Sequence, residues 1–473
     1  MVELGDVAKP AAGLEAPRNI LLIGTDDAAG LDKKDPARRG RQSGGQLADV
    51  IMILRIDPAT NGASLLSIPR DTWVPVAPRW SNAKINSSFS AGGGPTSLIA
   101  TIKHAFGISI DNYAQVDFAG FRGVVDVLGG VPVFLDRPVS DPTTGLWLPQ
   151  TGCIVIDPPQ ALAYARSRHF RYQDSDTYKK GAKWRTDSTG DLGRISRQQD
   201  FLQAVAQRAI SKGIRNPATA VGLVNAGIES VQIDETMNVK QIIDLIQLFR
   251  NFSVDELQRF QLPTTSGGNS RNSYQEVIGE EAEGMLDVFR GVNDEGPVDP
   301  ATVLVDLASG ADPGLVTELE GRGFDADLPL EGERDDAPAT SAATTIRFGL
   351  RGVESARLLA TQLSGEVRFE YQKDLPGRRL RLLAGPDGVP LETTPKALNE
   401  IPMPTFPKPR GNSTTTTTTT TTTASTSTTV VGDGAPTSTI GDGESSTTTI
   451  PDVTTTTALG IVPLDATAAA RCG

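Results

Sequence analysis

Asn19-Ile20-Leu21-Leu22-Ile23-Gly24-Thr25-Asp26 places four large apolar side chains in a row and closes them with turn residues and an acid. So short an apolar run, ended in this way, reads as a buried strand. Val50-Ile51-Met52-Ile53-Leu54-Arg55-Ile56 and Ala63-Ser64-Leu65-Leu66-Ser67-Ile68 read as two more, joined by a turn around Pro58–Gly62. Thr96–Phe106 sets Leu98, Ile99, Ile102, Ala105 and Phe106 on or near one helical face, Phe118–Leu128 is a second helix, and Val131–Leu135 is a strand. Elements alternating in this order predict an α/β fold, a three-layer α-β-α sandwich around a mixed central sheet.

That domain is expected to span 18–292, after a lead-in of residues 1–17. Beyond Pro297 the pattern restarts: strand Ala301–Leu307, helix Pro313–Gly323, strand Thr345–Phe348, helix Val353–Leu363 and strand Arg378–Leu383. A small α/β domain over 293–390 follows, with no catalytic constellation and a binding or spacer role by default. From 391 to 473 the chain turns Pro-, Thr- and Ser-rich, with an unbroken Thr414–Thr423 run. Such a segment buries too little apolar surface to offset its chain entropy, so it is expected to be a disordered tail, either a plain linker or an O-glycosylated stalk.

Composition agrees: 38% of the 473 residues are hydrophobic and only 5% aromatic, low for a wholly folded chain. A net charge of -12 argues against a nucleic-acid partner, which would want a basic face. No apolar run approaches the roughly 18–20 residues that span a bilayer, and no signal-peptide core opens the chain, which is expected to be soluble as written. A bond between the two cysteines, Cys153 and Cys472, would have to close across the tail, and none is expected.

Against this acidic background two arginine clusters stand out, Arg166-Ser167-Arg168-His169 and Gly190-Asp191-Leu192-Gly193-Arg194-Ile195-Ser196-Arg197-Gln198. The guanidinium fork bonds two oxygens at once and suits phosphate or carboxylate. Pro158–Ala165 reads as a short helix opened by proline. If the chain becomes extended at its end, Arg166 and Arg168 fall on one face of a strand. Asp191 is expected to cap a second helix, on which Arg194 and Arg197, three apart, share a face near the positive end. The pattern points to an anion site, and surface ion pairs with Asp174, Asp176 and Asp187 are the alternative.

Asp26 ends the first strand and Asp49 begins the second, so antiparallel neighbours would bring their carboxylates together. Two carboxylates plus phosphate oxygens suit Mg²⁺, and the alternative is that each is a turn or cap residue. Asp71 follows Arg70, either as a further acid or as that arginine's local partner, and Arg70, Lys84 and Asn86 offer further donors. His104, among apolar neighbours, is read as structural. His169 and Gln198 lie beside the arginines as candidate substrate contacts. No Ser-His-Asp spacing, Walker loop, zinc cluster or helix-turn-helix pattern is present.

The motifs 19–26, Ala48-Asp49-Val50-Ile51-Met52-Ile53, Ser67-Ile68-Pro69-Arg70-Asp71-Thr72, Lys84-Ile85-Asn86, Gln160–His169 and Gly190–Gln199 occur in one order over 18–292. In that order the chain resembles the LytR-CpsA-Psr family of bacterial cell-wall ligases, and residues 300–388 are similar to a LytR C-terminal domain. The resemblance implies an Mg²⁺-dependent phosphotransferase, with pyrophosphatase side activity. It would move a glycan phosphate from a polyprenyl-pyrophosphate carrier to the muramic C6 hydroxyl of peptidoglycan. By position Asp26 and Asp49 would hold Mg²⁺, Arg70, Arg166, Arg168, Arg194 and Arg197 would grip the pyrophosphate, and Asp191 would orient the last helix. Asp71 and Asp49 are both candidates for the base. A lipid tail in such proteins lies in an apolar tunnel, which the sequence does not trace. The implied location is extracytoplasmic, at the cell membrane and wall, and the N-terminal membrane helix usual in the family is expected to be absent from this chain. Ala48 and Val50 stand where Ser and Thr are commoner, which removes hydroxyl groups beside Asp49 but spares the ligand. A non-catalytic polyprenyl-lipid-binding surface protein or wall spacer is the competing reading.

Overall fold

The computed structural model describes residues 4, 8, 13–38, 47–269, 272–292, 298–308, 311–328, 341, 343–349, 351–372, 375–386, 388–404 and 472. At its centre is a six-stranded mixed sheet. Arg18–Thr25 lies between Ala48–Asp57, antiparallel, and Asn112–Val116, parallel. Gly62–Ser67 continues the sheet antiparallel to Ala48–Asp57, and Gln258–Gln261 and Gln232–Ile233 form its two edges. One face of the inner strands is buried and the other is partly buried, which is why they read as continuous apolar runs.

The pleat deals side chains alternately to the two faces. Leu21, Ile23, Ile51, Ile53 and Leu66 pack against Leu98, Ile99, Ile102, Met285 and Phe289, from helices Gly94–Phe106 and Gly279–Arg290. Ile20, Leu22, Val50, Met52, Leu54 and Leu65 turn the other way, toward Leu202 and Leu245 of helices Gly190–Ser211 and Val239–Leu248. This is the sandwich the alternation predicts.

Val131–Leu135 forms, but it does not join the central sheet. It pairs antiparallel with Gly152–Ile156, and with the hairpin Val139–Asp141/Leu146–Leu148 it builds an apolar cluster against Ala161, Tyr164 and Phe201. This satellite layer carries the arginine clusters.

A second sheet, in the order Asp325–Asp327, Leu304–Leu307, Leu380–Leu383, Thr344–Phe348, Val367–Tyr371, has its own core around Leu319, Phe348, Leu359 and Leu382. The strands Asp325–Asp327 and Val367–Tyr371 were not legible as such in the sequence; the first is too short and acidic to show a period. Polar contacts join this module to the central domain: Lys103 pairs with Asp327 and Asp325, Ser109 Oγ donates to Asp325 at 2.8 Å, Arg379 donates to the His104 carbonyl at 2.7 Å, and Arg351 pairs with Asp287 at 2.7 Å. His104 also packs against Trp80, with ring centroids 4.6 Å apart and the rings tilted by 42°, a structural setting.

Two expectations about the chain's end are corrected. Residues 391–404, assigned to the tail, run along the second module: Glu392 N–H donates to the Gln362 carbonyl at 2.8 Å, Lys396 N–H to that of Thr361 at 2.9 Å, and Ile401 joins the core. Of the remaining tail, the threonine run included, all but Cys472 lies outside the described residues. Cys472 is bonded to Cys153, with Cα atoms 5.3 Å apart across a separation of 319 residues. Closing a long loop costs only logarithmically more than closing a short one, so an intervening polar segment is no bar to the bond.

Asp111 sits at the first strand's start, accepting a hydrogen bond from the Asn19 N–H at 2.7 Å. Burial pushes its carboxyl up to about 6, with Asp325 adding to the rise, against that bond and the charges of Arg18 and Arg55. The fold therefore prefers the protonated acid: the contribution is full below about pH 4 and is lost as pH rises through about 6. Asp111→Asn keeps an acceptor without the charge. It should raise stability at pH 8 by roughly 1–3 kcal/mol and leave it unchanged at pH 4, read as thermal midpoints. Equal midpoints at pH 8 would refute this account.

Candidate active site

The pairing of Arg18–Thr25 with Ala48–Asp57 shifts register between Gly24 and Thr25, so Asp26 leaves the sheet beside Asp49. Asp26 Oδ1 accepts from the Leu47 N–H at 3.2 Å, and Asp49 Oδ1 takes a hydrogen bond from Arg70 Nη1. Arg70 follows Pro69 in a turn pinned by Thr72, whose N–H donates to the Pro69 carbonyl at 3.0 Å. Burial works against the Arg70 charge, but Asp49 and then Asp71 outweigh it and hold its pKa above the ordinary arginine value. Behind it, Lys84 pairs with Asp71 at 3.1 Å, and the buried Asn86 donates its backbone N–H to the Arg70 carbonyl at 3.2 Å.

The first arginine cluster is set by helix Pro158–Arg166. Asp157 caps it, accepting from the Gln160 N–H at 2.9 Å, and two prolines fit its first turn. Arg166 is its last residue, with the guanidinium 4.3 Å from the Phe118 ring centroid. The expected strand through Arg166 and Arg168 does not form. Ser167 is a single extended residue, because its Oγ donates to the fully buried Asp141 at 2.7 Å and the His169 N–H donates to the same Oδ2 at 3.1 Å. Burial alone would raise the Asp141 pKa. Bonds from Thr143, Ser167 and His169 overcome that and hold it below the usual carboxylate range. Asp141 is thus the anchor of this loop. In the sequence, Asp141-Pro142-Thr143-Thr144-Gly145 reads only as a turn.

The second cluster opens helix Gly190–Ser211, and here Asp191 is not the cap. Asp187 takes the Thr189 N–H at 2.9 Å and its hydroxyl at 2.7 Å, and Gly190 adopts φ +56, which glycine alone accepts freely. The helix therefore starts before Asp191, whose carboxylate is left to bind Arg194 at 3.0 Å and Arg168 at 3.3 Å. Arg194 is only 4% exposed. Burial lowers its pKa to about 10 against the pull of Asp191, and the nearby Arg168 and Arg70 add to the fall, so it is charged at neutral pH. Its Nε is buried without a hydrogen-bond partner.

These groups converge on one cavity of about 570 Å³. Asp26, Asp49, Arg70, Arg166, Arg168, His169, Arg194 and Gln198 all line it. The rest of its walls are largely apolar, with Leu22, Val50 and Met52 from the sheet and Phe118, Phe121, Phe201, Leu202 and Val205 from the helices. Gln198 Nε2 donates to the Ala165 carbonyl at 3.0 Å and fastens the two clusters together. Five expected site residues do not line the cavity. Asp71, Lys84 and Asn86 brace Arg70, and Asp191 holds Arg168 and Arg194. Arg197 is turned away from Arg194, donating to the Ser167 carbonyl at 2.8 Å, pairing with Asp187 at 3.2 Å and lying 4.3 Å from the Phe170 ring centroid. Three residues of helix leave the two only about 60° apart, so it is these partners of Arg197, and not the helix period, that part the long side chains. Of the two candidate bases, only Asp49 reaches the cavity.

Among the described residues no three His, Cys, Asp or Glu gather as a metal site. Asp26 and Asp49, which both line the cavity, are the carboxylates that could hold a Mg²⁺ ion, with water and phosphate oxygens completing its shell. One cavity thus combines anion-gripping arginines with apolar walls.

The LytR_cpsA_psr family model matches residues 9–289. Over 246 residues the chain is 33% identical to the "Probable cell wall biosynthesis protein LcpB" of Corynebacterium glutamicum, covering 51% of this chain and 54% of that one. Over 198 residues it is 34% identical to the "Polyisoprenyl-teichoic acid--peptidoglycan teichoic acid transferase TagU" of Oceanobacillus iheyensis, covering 41% and 52%. The match thus spans about half the length of these relatives. Among solved structures, Bacillus subtilis TagV matches at TM-score 0.48 and 24% identity, over 60% of this chain and 99% of that chain.

Proposed function

Because this chain belongs to the LytR_cpsA_psr family, we propose that it transfers a glycan phosphate from a polyprenyl-pyrophosphate carrier to the muramic C6 hydroxyl of peptidoglycan, in cell-wall assembly. The observation that carries the reading is the cavity's two-part chemistry. A long hydrocarbon with a charged phosphate head is the molecule that matches a cavity of arginines and apolar walls. The relatives' names, cell-wall biosynthesis and teichoic acid transfer to peptidoglycan, point the same way.

In this reading the tail lies between Met52, Phe121 and Leu202, with the pyrophosphate among Arg70, Arg166, Arg168 and Arg194. The acceptor hydroxyl oxygen bonds to the phosphorus carrying the glycan, the bridging P–O bond to the lipid phosphate breaks, and the hydroxyl proton ends on the released polyprenyl phosphate or in water. Phosphoryl transfer of this kind needs positioning and charge neutralisation more than covalent help from the protein. Mg²⁺ held by Asp26 and Asp49 would supply further neutralising charge on the phosphate oxygens. Asp191 keeps Arg168 and Arg194 at the cavity, and Asp141 keeps the loop between the clusters in place. Among the described residues no helix is long and apolar enough to cross a membrane. The Cys153–Cys472 bond supports an oxidising, extracytoplasmic setting.

The test is to incubate the full chain with a polyprenyl-pyrophosphate-linked glycan and peptidoglycan, with and without Mg²⁺. Release of polyprenyl phosphate with glycan attached to peptidoglycan, abolished by EDTA, is the expected result. Tight lipid binding with no release would instead establish the lipid-capturing protein.

A further inference from the structure

Outside the cavity, one group of side chains is left without a role. Trp147, Tyr178 and Trp184 meet at the surface, with ring centroids 5.3, 5.7 and 6.5 Å apart and inclined to one another. Trp147 is 46% exposed and Tyr178 39%. Single exposed aromatics are ordinary, but three in mutual contact make a patch that asks for an occupant.

The patch is built rather than draped. Leu146 and Leu148 point into the satellite core, so the pleat puts Trp147 outward between them. Its N–H donates to Gln160 Oε1 at 2.8 Å, from the helix that presents Arg166. The loop bearing Tyr178 is clamped by the buried Gln173, which accepts from the Lys179 N–H at 2.9 Å and donates to its carbonyl at 3.0 Å. Lys179 and Lys183, next in the chain to Tyr178 and Trp184, are exposed, as is Lys180. The patch is also continuous with the site, since Thr143 and Thr144, in the turn just before Trp147, line the cavity mouth. Four residues of chain reach at most about 14 Å, the span of a short oligosaccharide.

Inclined aromatic faces with exposed cationic residues beside them in the chain suit sugar rings, whose axial C–H groups lie on the π-faces while hydroxyls and carboxylates meet polar groups. The net charge of -12 disfavours stacked nucleic-acid bases. We propose that Trp147, Tyr178 and Trp184 form a saccharide platform that binds the peptidoglycan glycan strand and delivers its hydroxyl to the cavity's arginines. The inference rests on the transferase reading for the identity of its glycan, and its binding assay is independent of turnover.

The test titrates the full chain with soluble, uncrosslinked peptidoglycan glycan strands, and separately with phospholipid vesicles carrying polyprenyl phosphate. Trp147→Ala and Trp184→Ala should each lower glycan affinity about tenfold or more. Trp147→Tyr should restore most of it, and vesicle binding and donor KM should not change. Wild-type glycan affinity in the Trp147→Ala, Trp184→Ala double variant overturns the proposal. So does a loss confined to vesicle binding, which would mark a membrane-facing patch, or a rise in donor KM with acceptor KM unchanged. If the wild-type chain shows no transfer at all, the glycan titration still decides the platform.

Discussion

Arg194→Ala is expected to lower glycan transfer about 100-fold or more and to weaken binding of the polyprenyl pyrophosphate itself. Arg194 is nearly fully buried, lines the cavity, and has one nitrogen without a partner. Burial above all, and then the neighbouring charges of Arg168 and Arg70, lower its pKa. A bound pyrophosphate would offset that repulsion, so losing this group removes a preorganised donor, the kind of deletion that commonly costs about 10²–10³ in rate. Arg194→Lys should recover little, because a point charge cannot replace a two-pronged fork. The thermal midpoint should fall by no more than a few degrees, since the substitution also relieves crowding among the cations. Transfer within about threefold of wild type would remove Arg194 from the substrate contacts.

Asp49→Asn should behave differently. The amide keeps the side chain's shape and an acceptor for Arg70, so donor affinity should stay within about threefold of wild type, while Mg²⁺-supported turnover falls about 100-fold. The two variants together separate gripping the substrate from neutralising it: Arg194 acts on Kd and rate, Asp49 on rate alone. Undiminished turnover in Asp49→Asn, with the same response to Mg²⁺, would end the metal assignment.

Much of this was legible in the sequence, for local reasons. Ile20–Ile23 and Val50–Ile56 announce buried strands because both faces of those strands are covered, and the arginines stand out because they cluster in an acidic chain. The cavity was not legible. Met52, Phe121 and Leu202 each fit the period of an ordinary core, and only the assembled fold reveals that they also line an open space. The start of the last arginine helix was misplaced because Asp191 has the composition of a cap, while the capture of Thr189 by Asp187 depends on one glycine's left-handed turn. Arg194 and Arg197 look equivalent at a spacing of three, and only packing against Phe170 and Ser167 tells them apart.

The Cys153–Cys472 bond also changes what kind of object the polypeptide is. In polymer terms it is a tadpole: residues 153–472 form a covalent ring, and residues 1–152 hang from it as a free arm. Asp26, Asp49 and Arg70 belong to the arm, and Arg166, Arg168 and Arg194 to the ring, so the cavity mouth is the seam where the two topological parts meet. A single broken peptide bond anywhere in the ring opens it to a line without releasing a fragment. The half of the mouth that carries the arginine clusters therefore stays on the same molecule until a reductant cuts the second link.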